Sequence, residues 1–308
     1  MKTDVGNTVE TRRETTTKEN MLPNRCCRKT ILKRRHKESY RKRGERERER
    51  RRKLTDNRKE CGKESRKRNP LKMDLRKLFC YLRERSGEQK STLKREGKTN
   101  SLMRAVLVNW LLEIVKVMKL SHHSFFLCIH IMDRGLEEGE SRDHLQLLGI
   151  TSLFMASKFE EIQPPSLSYL CYLCEGLFSP TEIVEKEAHL LRLMDFRLVR
   201  VSPLSFLGFL SDSIREEDKR VSLMLSHLLM FHGGIARTDV FRTALFAVEL
   251  AMRVTGTSSR SLSDGRLGGK EADFYLRKTR QVIQALDKHN LLGIRKLFAE
   301  ESVFLSVI

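Results

Sequence analysis

The chain has 308 residues, enough for two ordinary domains or one domain and a tail. Its formal charge of +20 is confined to residues 1–100, which hold 35 Lys/Arg against 15 Asp/Glu. The remaining 25 of each sign, from totals of 60 and 40, leave residues 101–308 neutral. A neutral body carrying a basic arm argues against a protein whose folded part is itself a basic nucleic-acid surface.

The seven cysteines are Cys26, Cys27, Cys61, Cys80, Cys128, Cys171 and Cys174. Their odd number and spacing do not form a disulfide framework, so a reducing compartment is expected. No run of eighteen apolar residues and no N-terminal apolar h-region occurs, so neither a membrane span nor a secretory leader is expected.

Taken in chain order, residues 1–70 are dense in charge and poor in apolar side chains, as in the Arg/Glu alternation from Arg41 to Lys53. Such a segment buries too little surface to offset its ordering entropy and is read as a disordered regulatory arm. Leu71, Leu75, Leu78, Phe79 and Leu82 recur at helical spacing and predict a short amphipathic helix, followed by a polar linker to residue 100.

Residues 101–118 are apolar almost all round, with Asn109, Glu113 and Lys116 forming one narrow polar stripe, the pattern of a helix central in a bundle. Further helices are predicted near 123–137, 142–160, 166–174 and 180–194. A second set follows Pro203, at 203–213, 218–232, 239–254 and 272–289, with the Gly/Ser-rich stretch 255–270 as a loop. No segment alternates as a strand does. The fold class expected is all-α: one helical domain over 101–200 and another over 201–308, preceded by the helix and linker of 71–100.

Cys171-x-x-Cys174 has half of a zinc spacing, but it lacks a second ligand pair and its flanks Leu170, Tyr172 and Leu173 are apolar. Thiols packed on a short helix are the expected reading, with no metal and no cofactor. No nucleophile–base pair or glycine-rich phosphate loop is present, so no catalytic residue is expected.

Two strings carry a family resemblance. Met103-Arg104-Ala105-Val106-Leu107-Val108-Asn109-Trp110-Leu111 resembles the opening of a cyclin box. Ala156-Ser157-Lys158-Phe159-Glu160-Glu161-Ile162, followed by Pro164-Pro165, resembles the end of its third helix. Glu187 stands at the usual glutamate of the fifth helix, and the stretch Ile294 to Ile308 resembles the end of B-type cyclins. The similarity is to the A- and B-type, mitotic, cyclins and covers residues 71–308. Asn109, where aspartate is usual, Gly135, where a bulkier residue is usual, and the 255–270 loop depart from the pattern.

The resemblance implies two tandem five-helix cyclin-box domains. It also implies a non-catalytic regulatory subunit that binds and activates a cyclin-dependent protein kinase and controls cell-cycle progression at G2/M. Lys158 and Glu187, with Phe159 and Phe196, would bind the kinase. Read without the resemblance, Lys158 is a cation ending an apolar helix, where it complements the macrodipole.

Met103, Val106, Leu107 and Trp110 share one helix face. The resemblance makes that face, with Glu113, Leu145 and Gln146, a docking patch for Arg-x-Leu substrates or inhibitors; core packing is the plainer reading. Arg104 and Asp133 are expected to form a structural ion pair. In the arm, Lys18-Glu19-Asn20 has the form of a degron read by ubiquitin-ligase machinery, whereas Arg51-x-x-Leu54 and Arg68-x-x-Leu71 read as coincidence. The clusters at Lys33–Arg35, Arg41–Arg43 and Arg50–Lys53 suit nuclear import, giving a nuclear and cytoplasmic protein. Nucleic-acid contact is expected to be at most non-specific, since Tyr40 is the lone aromatic among residues 1–70. The competing classes are a cyclin-fold transcription factor and a basic nucleic-acid-binding protein.

Overall fold

The structure, a computed structural model, describes residues 77–85, 101–211, 214–236, 239–257 and 267–308. All of them belong to the compact unit Asp74–Ile308. The residues of the arm, Lys18, Glu19 and Asn20 among them, and most of the 255–270 loop lie outside the described residues.

The described residues are helical and contain no strand. The first repeat comprises α1 (Ser101–Val117), α2 (His122–Glu137), a 3-10 turn (Arg142–His144), α3 (Leu145–Glu160), α4 (Leu167–Leu173) and α5 (Pro180–Leu193). The second comprises α6 (Pro203–Ser211), α7 (Glu216–Leu229), α8 (Gly233–Ala236), α9 (Val240–Val254) and α10 (Gly269–Lys288). It is followed by α11 (Gly293–Leu297) and a 3-10 turn at Glu301–Ser306. The three last short elements, α8 included, fall below the length at which periodicity is readable.

Local chemistry sets the boundaries. Ser121, Ser166 and Asp239 cap α2, α4 and α9 through side-chain oxygens that accept from the first-turn amides. At α5, Ser179 and Glu182 form a reciprocal capping box with Pro180 in the first turn. Gly176 (φ 71°) and Gly256 (φ 75°) adopt the left-handed conformation that stops α4 and α9.

In the first repeat α3 packs against α1, α2 and α5. Its core is built on Leu111, Leu112, Phe125, Ile129, Leu148, Ile150 and Leu153, all essentially inaccessible to solvent. Gly135 explains itself in this packing. A Cβ there would stand 2.4 Å from Leu148 Cδ1 and 3.2 Å from Leu190 Cδ2, so the missing side chain lets α3 and α5 close on α2.

In the second repeat α9 lies against α6 and α7. The helical residues 77–85 join that layer: the Phe79 ring meets those of Phe206, Phe209 and Phe241 edge-on at 5.9, 5.9 and 5.4 Å. Leu78 is exposed, whereas Phe79 and Leu82 pack on the second-repeat core.

Among the described residues the repeats share one apolar core, and polar and aromatic contacts join them at three places. Arg104 and Asp133 are both buried and paired through two hydrogen bonds of 2.6 and 2.9 Å. Arg104 Nη1 also donates to the carbonyls of Met230 and Phe231, at 2.8 and 3.1 Å, just beyond the end of α7. The second contact is aromatic: His227 of α7 is enclosed by His122, Phe125, Phe126 and Phe298. The third is α11 lying across α1, where the Gly293 amide donates to Asn109 Oδ1 at 2.7 Å and Lys296 pairs with Glu113 at 2.9 Å. The polar stripe of α1 is the seat of the C-terminal segment.

Candidate functional site

Lys158 sits in the last turn of α3 and Glu187 in the middle of α5. The two side chains form an ion pair across the helices, and the ammonium also lies 4.1 Å from the centre of the Phe154 ring. α5 is fastened to the connection after α2 by Lys186–Glu140 and by His189 Nε2 to Glu138 at 3.0 Å. Glu187 thereby faces α3 from a fixed backbone. With the Lys158 side chain 38% and the Glu187 side chain 14% exposed, the pair is partly screened by water and contributes on the order of 1 kcal/mol.

Glu161, next to the α3 C-terminus, accepts from the Ser121 amide at 2.7 Å and the Ser124 hydroxyl at 2.6 Å. Burial pushes this carboxyl upward, but those hydrogen bonds prevail and hold it below the usual carboxylate range. The end of α3 is thus tied to the start of α2, which sets the direction in which Lys158 and Phe159 leave the helix.

Apolar side chains stand exposed at the C-terminal ends of the two helices that carry the pair. Phe159 is 48% exposed and Phe196 72%. Asp195 and Phe196 both have positive φ (50° and 56°), with the Phe196 amide bonded to Leu191 O at 2.9 Å. An aromatic residue in the left-handed region costs about 1 kcal/mol or more, and here it holds a large ring in solvent. Sequence reasoning missed Val184 and Ile162, both exposed. Val184 lies one turn before Glu187 on the same face of α5, a spacing that could have disclosed it.

The α1 face is more closed than an open groove. Leu107 is 7% exposed and Leu145 8%, whereas Val106 is 46% exposed. Met103 and Trp110 are half-buried against the core, and Gln146 is partly covered. Leu107 is drawn inward because α3 carries Gly149 opposite it; a Cβ there would stand 2.8 Å from Leu107 Cδ1. Glu113 is occupied by Lys296 and by Asn109 Nδ2 at 3.4 Å. Met103, Val106 and Trp110 are therefore what the face offers to solvent, with Leu107 and Leu145 behind them.

Cys171 and Cys174 flank the end of α4. Burial, with Cys171 nearby, pushes the Cys174 thiol up to about 11, so it packs as an apolar group. Among the described residues no group of His, Cys, Asp and Glu is arranged to hold a metal ion, and no helix is long and apolar enough to cross a membrane.

Residues 77–199 match the family model described as the N-terminal domain of cyclins. The chain is 33% identical over 238 residues to the G2/mitotic-specific cyclin-B3 of Mus musculus, covering 74% of this chain and 17% of that one. The chain belongs to the cyclin family. Its similarity is to the A and B types: the G2/mitotic-specific cyclin-B2 of Rana japonica is 30% identical over 225 residues, 71% of this cyclin and 55% of the frog protein. Cyclin-A3-2 of Oryza sativa subsp. japonica is 35% identical over 138 residues, 44% of this cyclin and 36% of the rice protein.

This cyclin thus spans between 17% and 55% of the length of these relatives. Among solved structures, the viral cyclin from herpesvirus saimiri shares the fold, with a TM-score of 0.53 at 17% identity over 73% of this chain and 97% of that one.

Proposed function

We propose that this cyclin is a regulatory subunit that binds and activates a cyclin-dependent protein kinase, contributing no catalytic group itself. The observation that carries the reading is the Lys158–Glu187 pair held across α3 and α5, with Phe159 and Phe196 exposed at the C-terminal ends of those helices and Phe196 in a left-handed backbone. An ammonium supplies donors and a carboxylate acceptors, so the two can exchange each other for main-chain groups at the ends of a partner's helix. Phe159 and Phe196, with Val184 and Ile162, supply apolar anchors around them. A protein kinase needs its strand lysine paired with the glutamate of its C-helix before phosphoryl transfer proceeds. A rigid surface that binds only the helix-in arrangement shifts the kinase toward it.

The test is Lys158→Glu with Glu187→Lys. The reversed pair can still form within the cyclin, so its melting temperature is expected to stay within about 2 °C of wild type. Kinase co-purification and stimulation of peptide phosphorylation are expected to vanish. Full activation by the double variant would place the interface elsewhere.

Recruitment of Arg-x-Leu substrates belongs to the same reading at a finer level, as does action at G2/M. Val106, Met103 and Trp110 form the accessible rim of the α1 face, and Glu113 can trade Lys296 for a basic peptide side chain. Trp110→Ala is expected to cost about 1–2 kcal/mol, less than the 3–5 of a fully buried aromatic. Phosphorylation of Arg-x-Leu substrates should fall while that of a short peptide persists. Equal loss on both substrates would make Trp110 a core residue only. The arm is proposed to direct nuclear entry and, through Lys18-Glu19-Asn20, turnover by ubiquitin-ligase machinery.

A further inference from the structure

Between α2, the linker that follows α5 and the second repeat lies a cavity of about 80 Å³. Three polar atoms in its lining, His130 Nε2, Arg200 Nε and Ser202 Oγ, are buried and have no hydrogen-bond partner in the protein. Buried polar atoms are nearly always paired, so three in one small space mark a place built for something else. The carboxylates of the lining do not answer them: Asp133 is committed to Arg104 through two hydrogen bonds, and Glu160 is exposed.

Arg200 has further cations near it, of which Arg134 is paired with Glu137 at 3.0 Å. Arg134, Arg85 and Arg197 stand close enough to Arg200 to add to the burial that weakens its hold on its proton. His130 is neutral, its pKa pushed down to about 3 by burial and by Arg200 and Arg134. A neutral imidazole and a hydroxyl can each donate one hydrogen bond, and the guanidinium offers a planar fork. Arg200 is half-buried and the charged groups acting on it are cations, so an anion answers a need that water meets only in part.

We propose that this cavity binds a phosphate-class oxyanion, held by Arg200, His130 and Ser202. The space accommodates several waters or one small tetrahedral anion. Thr243 and Met230 of the second repeat line the same space as His130 of the first, so a bound anion bridges the repeats. The ligand is either free phosphate or the phosphorylated side chain of a peptide.

Thermal melts of the full chain, with potassium phosphate titrated against potassium chloride at matched ionic strength, test the proposal. The basic arm also attracts phosphate, so the informative quantity is the difference between wild type and Arg200→Met. Wild type is expected to show a saturable rise in melting temperature, and in Arg200→Met the apparent dissociation constant should increase by about tenfold or more. Ser202→Ala, which removes only a hydroxyl, should weaken binding about threefold and keeps the test open should Arg200→Met not fold. A second arm compares a phosphoserine peptide with its unphosphorylated form. Tighter binding of the phosphopeptide than of inorganic phosphate, lost in Arg200→Met, identifies the side-chain source; equal affinity identifies the free anion. No saturable phosphate effect in wild type, or the same effect in both variants, overturns the site.

Discussion

Phe196 combines two costs, a left-handed backbone and a ring 72% exposed, in one residue. Neither is needed to end α5, since a glycine makes the same turn without strain. Phe196→Gly is therefore expected to leave the cyclin as stable as wild type or more stable by about 0.5–1 kcal/mol. Kinase affinity should fall about tenfold or more through loss of an apolar anchor. Denaturant unfolding beside a kinase-binding titration separates the two effects. A clear loss of stability would show that the ring supports the fold and that its exposure is incidental.

At the scale of elements, the contact among α2, α3 and α5 governs where Lys158 and Glu187 meet. Gly135 lets these helices approach, and Leu148 and Leu190 fill the space that a side chain would occupy. Gly135→Ala should gain helix propensity but force both leucines aside, for a net loss of about 1–3 kcal/mol. Kinase binding should fall with it, because α5 carries Glu187. Unchanged melting and unchanged binding would mean that Leu148 yields freely and that the glycine has no packing role.

α1 shows why element-level periodicity needed tertiary structure to be interpreted. Its narrow stripe of Asn109, Glu113 and Lys116 marks a helix central in a bundle without saying which neighbour meets the polar side. That neighbour is α11, through Gly293 to Asn109 and Lys296 to Glu113, from more than 180 residues away in the chain.

Across the whole molecule, the seam between repeats carries a titratable group the helix patterns do not disclose. His227 is sealed among Phe125, Phe126, Phe298 and His122, and its Nδ1 is 2.9 Å from Leu223 O. Burial, with His122 as the titratable neighbour, pushes its pKa from 6.5 down to about 3. Since the folded value lies below the unfolded one, the unfolded chain takes up protons first. The contribution to stability is complete above about pH 6.5 and declines as pH falls toward 3. Between pH 7 and 5 this histidine should cost on the order of 1–2 kcal/mol. His227→Phe should flatten that part of the profile; an unaltered profile would assign the acid sensitivity to other groups.

The all-α class, the helices of the first repeat and the position of Lys158 at a helix end were legible in the order of residues. Apolar spacing and capping chemistry are local, acting within one or two turns. The two strings around Met103 and Lys158 were legible for the same reason. What local order does not encode is which face meets which. That Arg104 reaches past Asp133 to the carbonyls after α7, that Leu107 turns inward over Gly149, and that three unpartnered polar atoms share one cavity all depend on residues brought together from distant positions. Exposure, pairing and strain are properties of those encounters, so only the tertiary structure decided them.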